Sequence, residues 1–201
     1  MIYGILKMMF ALIFKIFFRA QIKGKENLPK EGAVILAANH MSNWDPPLLA
    51  TFLPRPVSYM AKQELFVNAV LRFILVRCHS FPVKRGAADR GAIKAAVAEL
   101  KNGSCLGLFP QGTRSRHGEK RKAEPGVALL ASMGKAPVVP AAIIGTDKVF
   151  AKGGFFPQLR VIYGKPLHFQ AERQDKQALQ EFAQKIMDEI YRMIEKEKAS
   201  A

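Results

Sequence analysis

The chain has 201 residues, 49% of them apolar, which suits one domain with one sizeable core and leaves no room for a string of domains. A formal net charge of +15 turns it toward anions: nucleic acid, anionic lipid headgroups or phosphorylated substrates. Two cysteines, Cys78 and Cys105, both in apolar stretches and with no CxxC or His/Cys cluster nearby, point away from a zinc site and toward reduced, buried thiols.

Residues 1–20 begin with a mostly apolar run that carries Phe10, Phe14, Phe17 and Phe18. Its length approaches that of a membrane span, but Lys7, Lys15 and Arg19 interrupt it on one i, i+4 ladder. A lysine at mid-bilayer is costly, whereas a basic stripe opposite an aromatic face suits a helix lying among headgroups. The segment is therefore expected to be a membrane-interfacial anchor, with a spanning helix and a helix packed on the protein's own core as the other readings. No small-residue cleavage site follows it, against a signal peptide.

Further along, Ala33–Ala38 is a continuous apolar run, expected as a strand buried on both faces. Pro46 and Pro47 open a helix. Strands are expected at Val57–Ala61, Ser80–Val83, Cys105–Phe109, Val138–Ile144 and Leu159–Tyr163. Helices are expected at Glu64–Arg77, Ala87–Leu100, Gly126–Met133 and Asp175–Lys196, the last amphipathic through Leu179, Phe182, Ile186, Ile190, Met193 and Ile194. Strands alternating with helices imply an α/β fold with a mainly parallel, mixed sheet covered by helices. In such sheets ligands bind beyond the carboxyl ends of the strands.

Two loops there carry chemistry. Asn39-His40-Met41-Ser42-Asn43-Trp44-Asp45 follows the first buried strand. A neutral imidazole takes a proton from an alcohol, and a carboxylate on its other nitrogen fixes the tautomer. His40 and Asp45 meet only if the loop turns back on itself; otherwise Asp45 caps the helix at Pro46 and His40 is a loop residue. The second loop is Phe109-Pro110-Gln111-Gly112-Thr113-Arg114-Ser115. Gly112 permits close backbone approach, Thr113 and Ser115 offer hydroxyls, and Arg114 is suited to phosphate; the plain alternative is a glycine turn before a solvated basic loop. Lys62 and Arg85 each follow another expected strand.

Taken in order, His40 to Asp45, Arg85, Phe109 to Ser115 and Val139-Pro140 resemble the four blocks of the glycerolipid acyltransferases, the 1-acyl-sn-glycerol-3-phosphate acyltransferases, over residues 25–165. Lys62-Gln63-Glu64-Leu65-Phe66 is similar to that family's Lys-x-Glu-Leu segment. Two positions depart: Gln111 stands where the family has Glu, and His79 where it often has Gly. Gln keeps an acceptor oxygen but loses the charge. At residue 79, the extra ring either crowds the substrate channel or faces the core.

The resemblance implies an α/β fold of the glycerol-3-phosphate-acyltransferase type over residues 21–201 and an enzyme of phospholipid biosynthesis. It moves a fatty acyl group from acyl-CoA or acyl-carrier protein to the sn-2 hydroxyl of lysophosphatidic acid, giving phosphatidic acid. His40 and Asp45 are the expected catalytic pair, with Lys62, Arg85, Gly112, Thr113 and Arg114 on the substrate. No metal and no cofactor beyond the acyl carrier is expected, and backbone amides near Gly112 are candidates for the oxyanion site. The expected location is the cytoplasmic face of the cell membrane, against anionic lipid. Other lysophospholipid acceptors, or a non-catalytic anionic-lipid-binding module, are the alternatives. A nucleic-acid partner is not expected: no such motif occurs, and the single tryptophan, Trp44, lies inside the His/Asp loop.

Overall fold

In the computed structural model, which describes residues 2–83, 89–115, 119–151 and 155–200, the apolar run Val34–Ala38 forms β2 at the middle of the sheet, buried along its whole length. In chain order the other elements are α1 (Ile2–Ile16), β1 (Gln21–Lys23), α2 (Asp45–Thr51), β3 (Val57–Lys62), α3 (Ala69–Arg77), β4 (Ser80–Val83), α4 (Arg90–Lys101), β5 (Cys105–Leu108), α5 (Gly126–Gly134), β6 (Val138–Ile144), β7 (Arg160–Tyr163) and α6 (Lys176–Ala199). Among the described residues the sheet has seven strands in the order β1-β7-β6-β2-β5-β3-β4. β2 through β6 run one way; β7 is antiparallel to β6 and carries β1 parallel to itself. The carboxyl ends of five strands therefore open on one edge, where β2 lies between β5 and β6.

Alternation along β2 sorts the core into two layers. Ile35 and Ala37 face α4, α5 and α6, whose Leu100, Val127, Ile186 and Ile190 fill that side. Val34, Leu36 and Ala38 face α1 and α2 with Phe14, Phe18, Leu48 and Leu49. The mixed, mainly parallel sheet is the expected one, but two details differ. β1 is three residues long at the sheet edge, too short for periodicity to reveal. The helix expected over Glu64–Arg77 is divided: Gln63–Phe66 is a 3-10 turn, and α3 starts only after Asn68, whose side chain accepts from the amides of Val70 and Leu71.

The first helix differs most from expectation. Phe14 and Phe18 are not available to lipid: both are fully buried in the layer above β2. Lys7 is turned to the protein as well, donating to the carbonyl of Leu53 just beyond the C-terminal end of α2, where helix carbonyls attract a cation. What α1 and Phe17 just after it show to the outside is Ile5, Met8, Met9, Leu12, Ile16 and the Phe17 ring, with Lys15 between them. The helix thus has two apolar faces, one in the core and one exposed. Among the described residues, no helix is long and apolar enough to cross a membrane.

His79 neither crowds a channel nor faces the core. It is exposed, at the turn from α3 into β4, with φ +57°. Glycine favours that left-handed position because it has no Cβ to clash. The site lies at the opposite end of β4.

Candidate active site

β2 delivers Asn39 and His40 to the open edge of the sheet, and the chain then turns back sharply enough for Asp45 to reach the imidazole. His40 Nδ1 and Asp45 Oδ2 are 2.8 Å apart, and the carboxylate is fully buried. The same oxygen accepts from the amides of Met41 at 2.6 Å and Ser42 at 2.7 Å. An oxygen that accepts two backbone N–H groups is an acceptor toward the ring too, so Nδ1 carries the proton. In the neutral ring the lone pair then sits on Nε2, the nitrogen free for acid–base work. Asp45 is not the helix cap that spacing alone allowed: Trp44 occupies that position without a side-chain bond, and the carboxylate turns backward to the loop.

The rest of the loop is fixed from elsewhere in the chain. Asn39 bridges to β6, donating to the carbonyl of Ile143 at 2.9 Å and accepting from its amide at 2.7 Å. The backbone of His40 is clamped at both ends by the second loop. Its N–H donates to Gln111 Oε1 at 2.7 Å, and its carbonyl accepts from the Ser115 amide at 2.8 Å and hydroxyl at 3.1 Å. Phe109 stacks on the imidazole with ring centres 4.1 Å apart, and Tyr59 stacks behind Phe109 at 6.3 Å. Gly107 makes room for that ladder, because a Cβ there would lie 2.3 Å from the Tyr59 ring. Tyr59 in turn donates to the Pro46 carbonyl. One face of the imidazole is thus covered by a braced aromatic stack.

Of the expected binding residues, Gly112, Thr113 and Arg114 lie on the loop that holds the His40 backbone. Lys62 ends β3, two strands from β2, a lateral distance of about 10 Å at ordinary strand spacing, and is exposed. Arg85 lies outside the described residues. Arg114 is held by the side chain of Asn43 at 3.1 Å, which ties it to the His40 loop, and Thr113 accepts from Arg121 at 2.7 Å. Gly112 has φ +68°, the conformation its lack of a Cβ permits. The expectation that backbone amides here serve an oxyanion is not met for two of them. The Gly112 amide donates to the Phe109 carbonyl and the Thr113 amide to that of Gln111, both within the turn.

Asn39 belongs to the motif, but its bridge to β6 has no local signal; nor do the stacking of Phe109 and Tyr59 or the group that the Gln111 acceptor oxygen serves, since each depends on which strands are neighbours. The outer wall is also informative. Trp44 of the His/Asp loop packs edge-on against Phe14 at 6.2 Å and against Phe150 at 6.0 Å, so the loop lies directly behind α1 and a cluster of exposed aromatics, Phe150, Phe155 and Phe156.

Comparison with known proteins bears on this geometry. A family model described as Acyltransferase matches residues 19–144. The 1-acyl-sn-glycerol-3-phosphate acyltransferase of Bacillus subtilis is 38% identical over 152 residues, 74% of this chain and 73% of that protein. The enzyme of the same name from Streptococcus pneumoniae is 29% identical over 193 residues, 93% of this chain and 70% of that one. Among solved structures, the 1-acyl-sn-glycerophosphate acyltransferase of Thermotoga maritima superposes with a TM-score of 0.77 at 24% identity, covering 96% of this chain and 79% of its own, a likeness of fold.

Proposed function

The chain belongs to the Acyltransferase family, and from that premise we propose that it transfers a fatty acyl group from a thioester donor to the sn-2 hydroxyl of 1-acyl-sn-glycerol-3-phosphate, giving phosphatidic acid. The observation that carries the reading is the buried His40–Asp45 pair, which leaves Nε2 free at the open edge of the sheet. Nε2 takes the proton of the acceptor hydroxyl as its oxygen attacks the thioester carbonyl. The imidazolium that forms is stabilised by Asp45 and returns the proton to the departing sulfur. Arg114, Lys62 and Arg85 are assigned to the acceptor phosphate, with Arg114 suited to a planar two-point contact. The donor is acyl-CoA or acyl-carrier protein. A module that only bound lipid would have no use for a buried carboxylate–imidazole pair.

The acceptor is a lipid, so the site must meet a membrane surface. We assign that contact to the outer face of α1, continued by Phe150, Phe155 and Phe156 on one side and by the exposed Val67, Val70, Phe73 and Val76 of the α3 region on the other. Tyr3 of α1 meets His79 at the end of α3 with ring centres 5.5 Å apart, so the two helices adjoin. Arg77 lies over the Phe73 ring at 3.5 Å, an arrangement that lets an apolar surface end in a cation at headgroup level. The location proposed is the cytoplasmic membrane face, with anionic lipid favoured by the basic charge.

The test is a transfer assay with lysophosphatidic acid and a panel of other lysophospholipids, using acyl-CoA and acyl-carrier protein, on the wild type and His40→Ala. Loss of a general base costs on the order of 10²–10⁴-fold in turnover. Wild-type turnover in a folded His40→Ala protein would end the mechanism, and preference for another acceptor would move the substrate.

A further inference from the structure

We propose that Tyr191, on the C-terminal helix and outside the span that the family model matches, is a positioning residue for His40 that acts through Gln111. The proposal rests on the reading of His40 as the base. Gln111 is only 5% exposed, and both ends of its amide are used. Its oxygen must face the His40 N–H, because that group can only donate. Its NH₂ therefore faces the Tyr191 hydroxyl, 3.2 Å away. The hydroxyl also accepts from the Arg121 amide at 2.9 Å and gives its own proton to the Arg121 carbonyl at 3.4 Å. Two lone pairs and one hydrogen are thereby committed.

Two consequences follow from that count. First, the Gln111 amide is held in its orientation from both ends, by the His40 N–H at its oxygen and by the phenol at its NH₂. Without the phenol it gains freedom to rotate, and the reversed amide would set an NH₂ against the His40 N–H. Second, glutamine at 111 and tyrosine at 191 are matched. A carboxylate at 111 has no hydrogen to offer, so the phenol would have to withdraw its proton from the Arg121 carbonyl to satisfy the second oxygen. Tyr191 also holds the Arg121 backbone, and the Arg121 side chain bonds Thr113 Oγ1 at 2.7 Å. A single hydroxyl on α6 thus braces both the segment that holds the base and the turn assigned to substrate. Cover helices are ordinarily read as packing; Ile186, Ile190 and Met193 serve that purpose here, and Tyr191 adds a hydroxyl to it.

The experiment is a double-mutant cycle on the full-length chain, with Gln111→Glu, Tyr191→Phe and both together. kcat, KM for lysophosphatidic acid, KM for acyl-CoA and the melting temperature are measured for each, with wild type and His40→Ala beside them. Tyr191→Phe removes one oxygen and no packing. It should lower kcat by roughly 3- to 10-fold, the scale of one lost hydrogen bond, with KM for acyl-CoA within about twofold. Gln111→Glu alone should be mild, since the phenol can turn its proton to the carboxylate. The added charge beside the base should also move the rate–pH profile upward. The double variant should lose less than the product of the singles, because both oxygens of a carboxylate accept and either one serves the His40 N–H with or without the phenol. Gln111→Ala tests the same coupling if the charged variant misfolds, since Tyr191→Phe should then cost nothing further in kcat. Unchanged kcat in Tyr191→Phe with only a lower melting temperature would make Tyr191 a packing residue and overturn the proposal. Multiplicative losses would equally overturn it. A wild type that transfers nothing, equal to His40→Ala, would instead refute the proposed function and remove the premise of this one.

Discussion

The two faces of the first helix make opposite predictions about neighbouring side chains. Phe14 is fully buried among Phe10, Phe18, Trp44 and Phe52, whereas Leu12, two residues earlier, is 61% exposed. Phe14→Ala removes a large ring from a packed layer, which costs about 3–5 kcal/mol for a buried phenylalanine. In a chain of this length each kcal/mol lowers the melting temperature by about 2–4 °C, so the expected drop is roughly 6–20 °C. Leu12→Ala removes a side chain with little to pack against, and stability should stay within about 0.5 kcal/mol. On vesicles the order reverses. An exposed leucine that enters lipid gains about 1.5–3 kcal/mol on full burial, so about 1–2 kcal/mol is at stake, a loss of roughly 5- to 30-fold in partitioning. Denaturant unfolding reports the first effect and co-sedimentation with anionic vesicles at high salt the second. If Phe14→Ala unfolds like wild type, the helix does not share the core. If Leu12→Ala binds vesicles like wild type, the outer face of α1 is not the membrane contact.

Three other perturbations test the site and its surroundings. Gly107→Ala would put a Cβ 2.3 Å from the Tyr59 ring; overpacking of this kind costs about 1–3 kcal/mol, and displacement of the Tyr59–Phe109–His40 stack should lower kcat, so an active, fully stable variant would contradict the stack's role. Arg114→Lys should raise KM for the acceptor more than for the donor, because an ammonium cannot make the planar contact; equal changes would count against a phosphate clamp. Stability should fall at high pH. Burial pushes the Cys105 thiol up to about 12 and raises the Tyr59 and Tyr163 phenols, so the native state keeps protons that the unfolded chain releases. That stabilisation is complete below the ordinary thiol value of 9.0 and is lost as pH rises toward 12; melting temperatures that stay flat over this window would contradict it.

What the sequence discloses here follows from where the physics is local. β2, β5 and β6 announce themselves because a strand buried on both faces needs an unbroken apolar run. α6 does so through its spacing. β1 does not, since three residues at an edge owe their structure to β7. The division at Asn68 shows how one capping side chain overrides an otherwise helical stretch. Five residues of spacing left the pairing of His40 with Asp45 open, and the resemblance of their loop named it; the bonds that hold that loop in place were not legible, because they span 71 residues to Gln111 and 104 to Ile143. In α1, charge spacing identified a basic ladder but not which side would face the protein, since the carbonyl that takes Lys7 lies 46 residues away.

The same long spans bear on the timing of self-assembly. Val34–Ala38 leaves the ribosome well before its neighbours on either side, Cys105–Leu108 and Val138–Ile144, are made. Non-local pairings of this kind are reached slowly, after the entropy of long loops has been surrendered. The base cannot be correctly held until β6 has docked and α6 has closed over it. Refolding followed at once by helical signal and by transferase assay should therefore show ellipticity returning first and turnover last. A chain stalled before residue 191 would expose its apolar sheet with no catalytic competence in return.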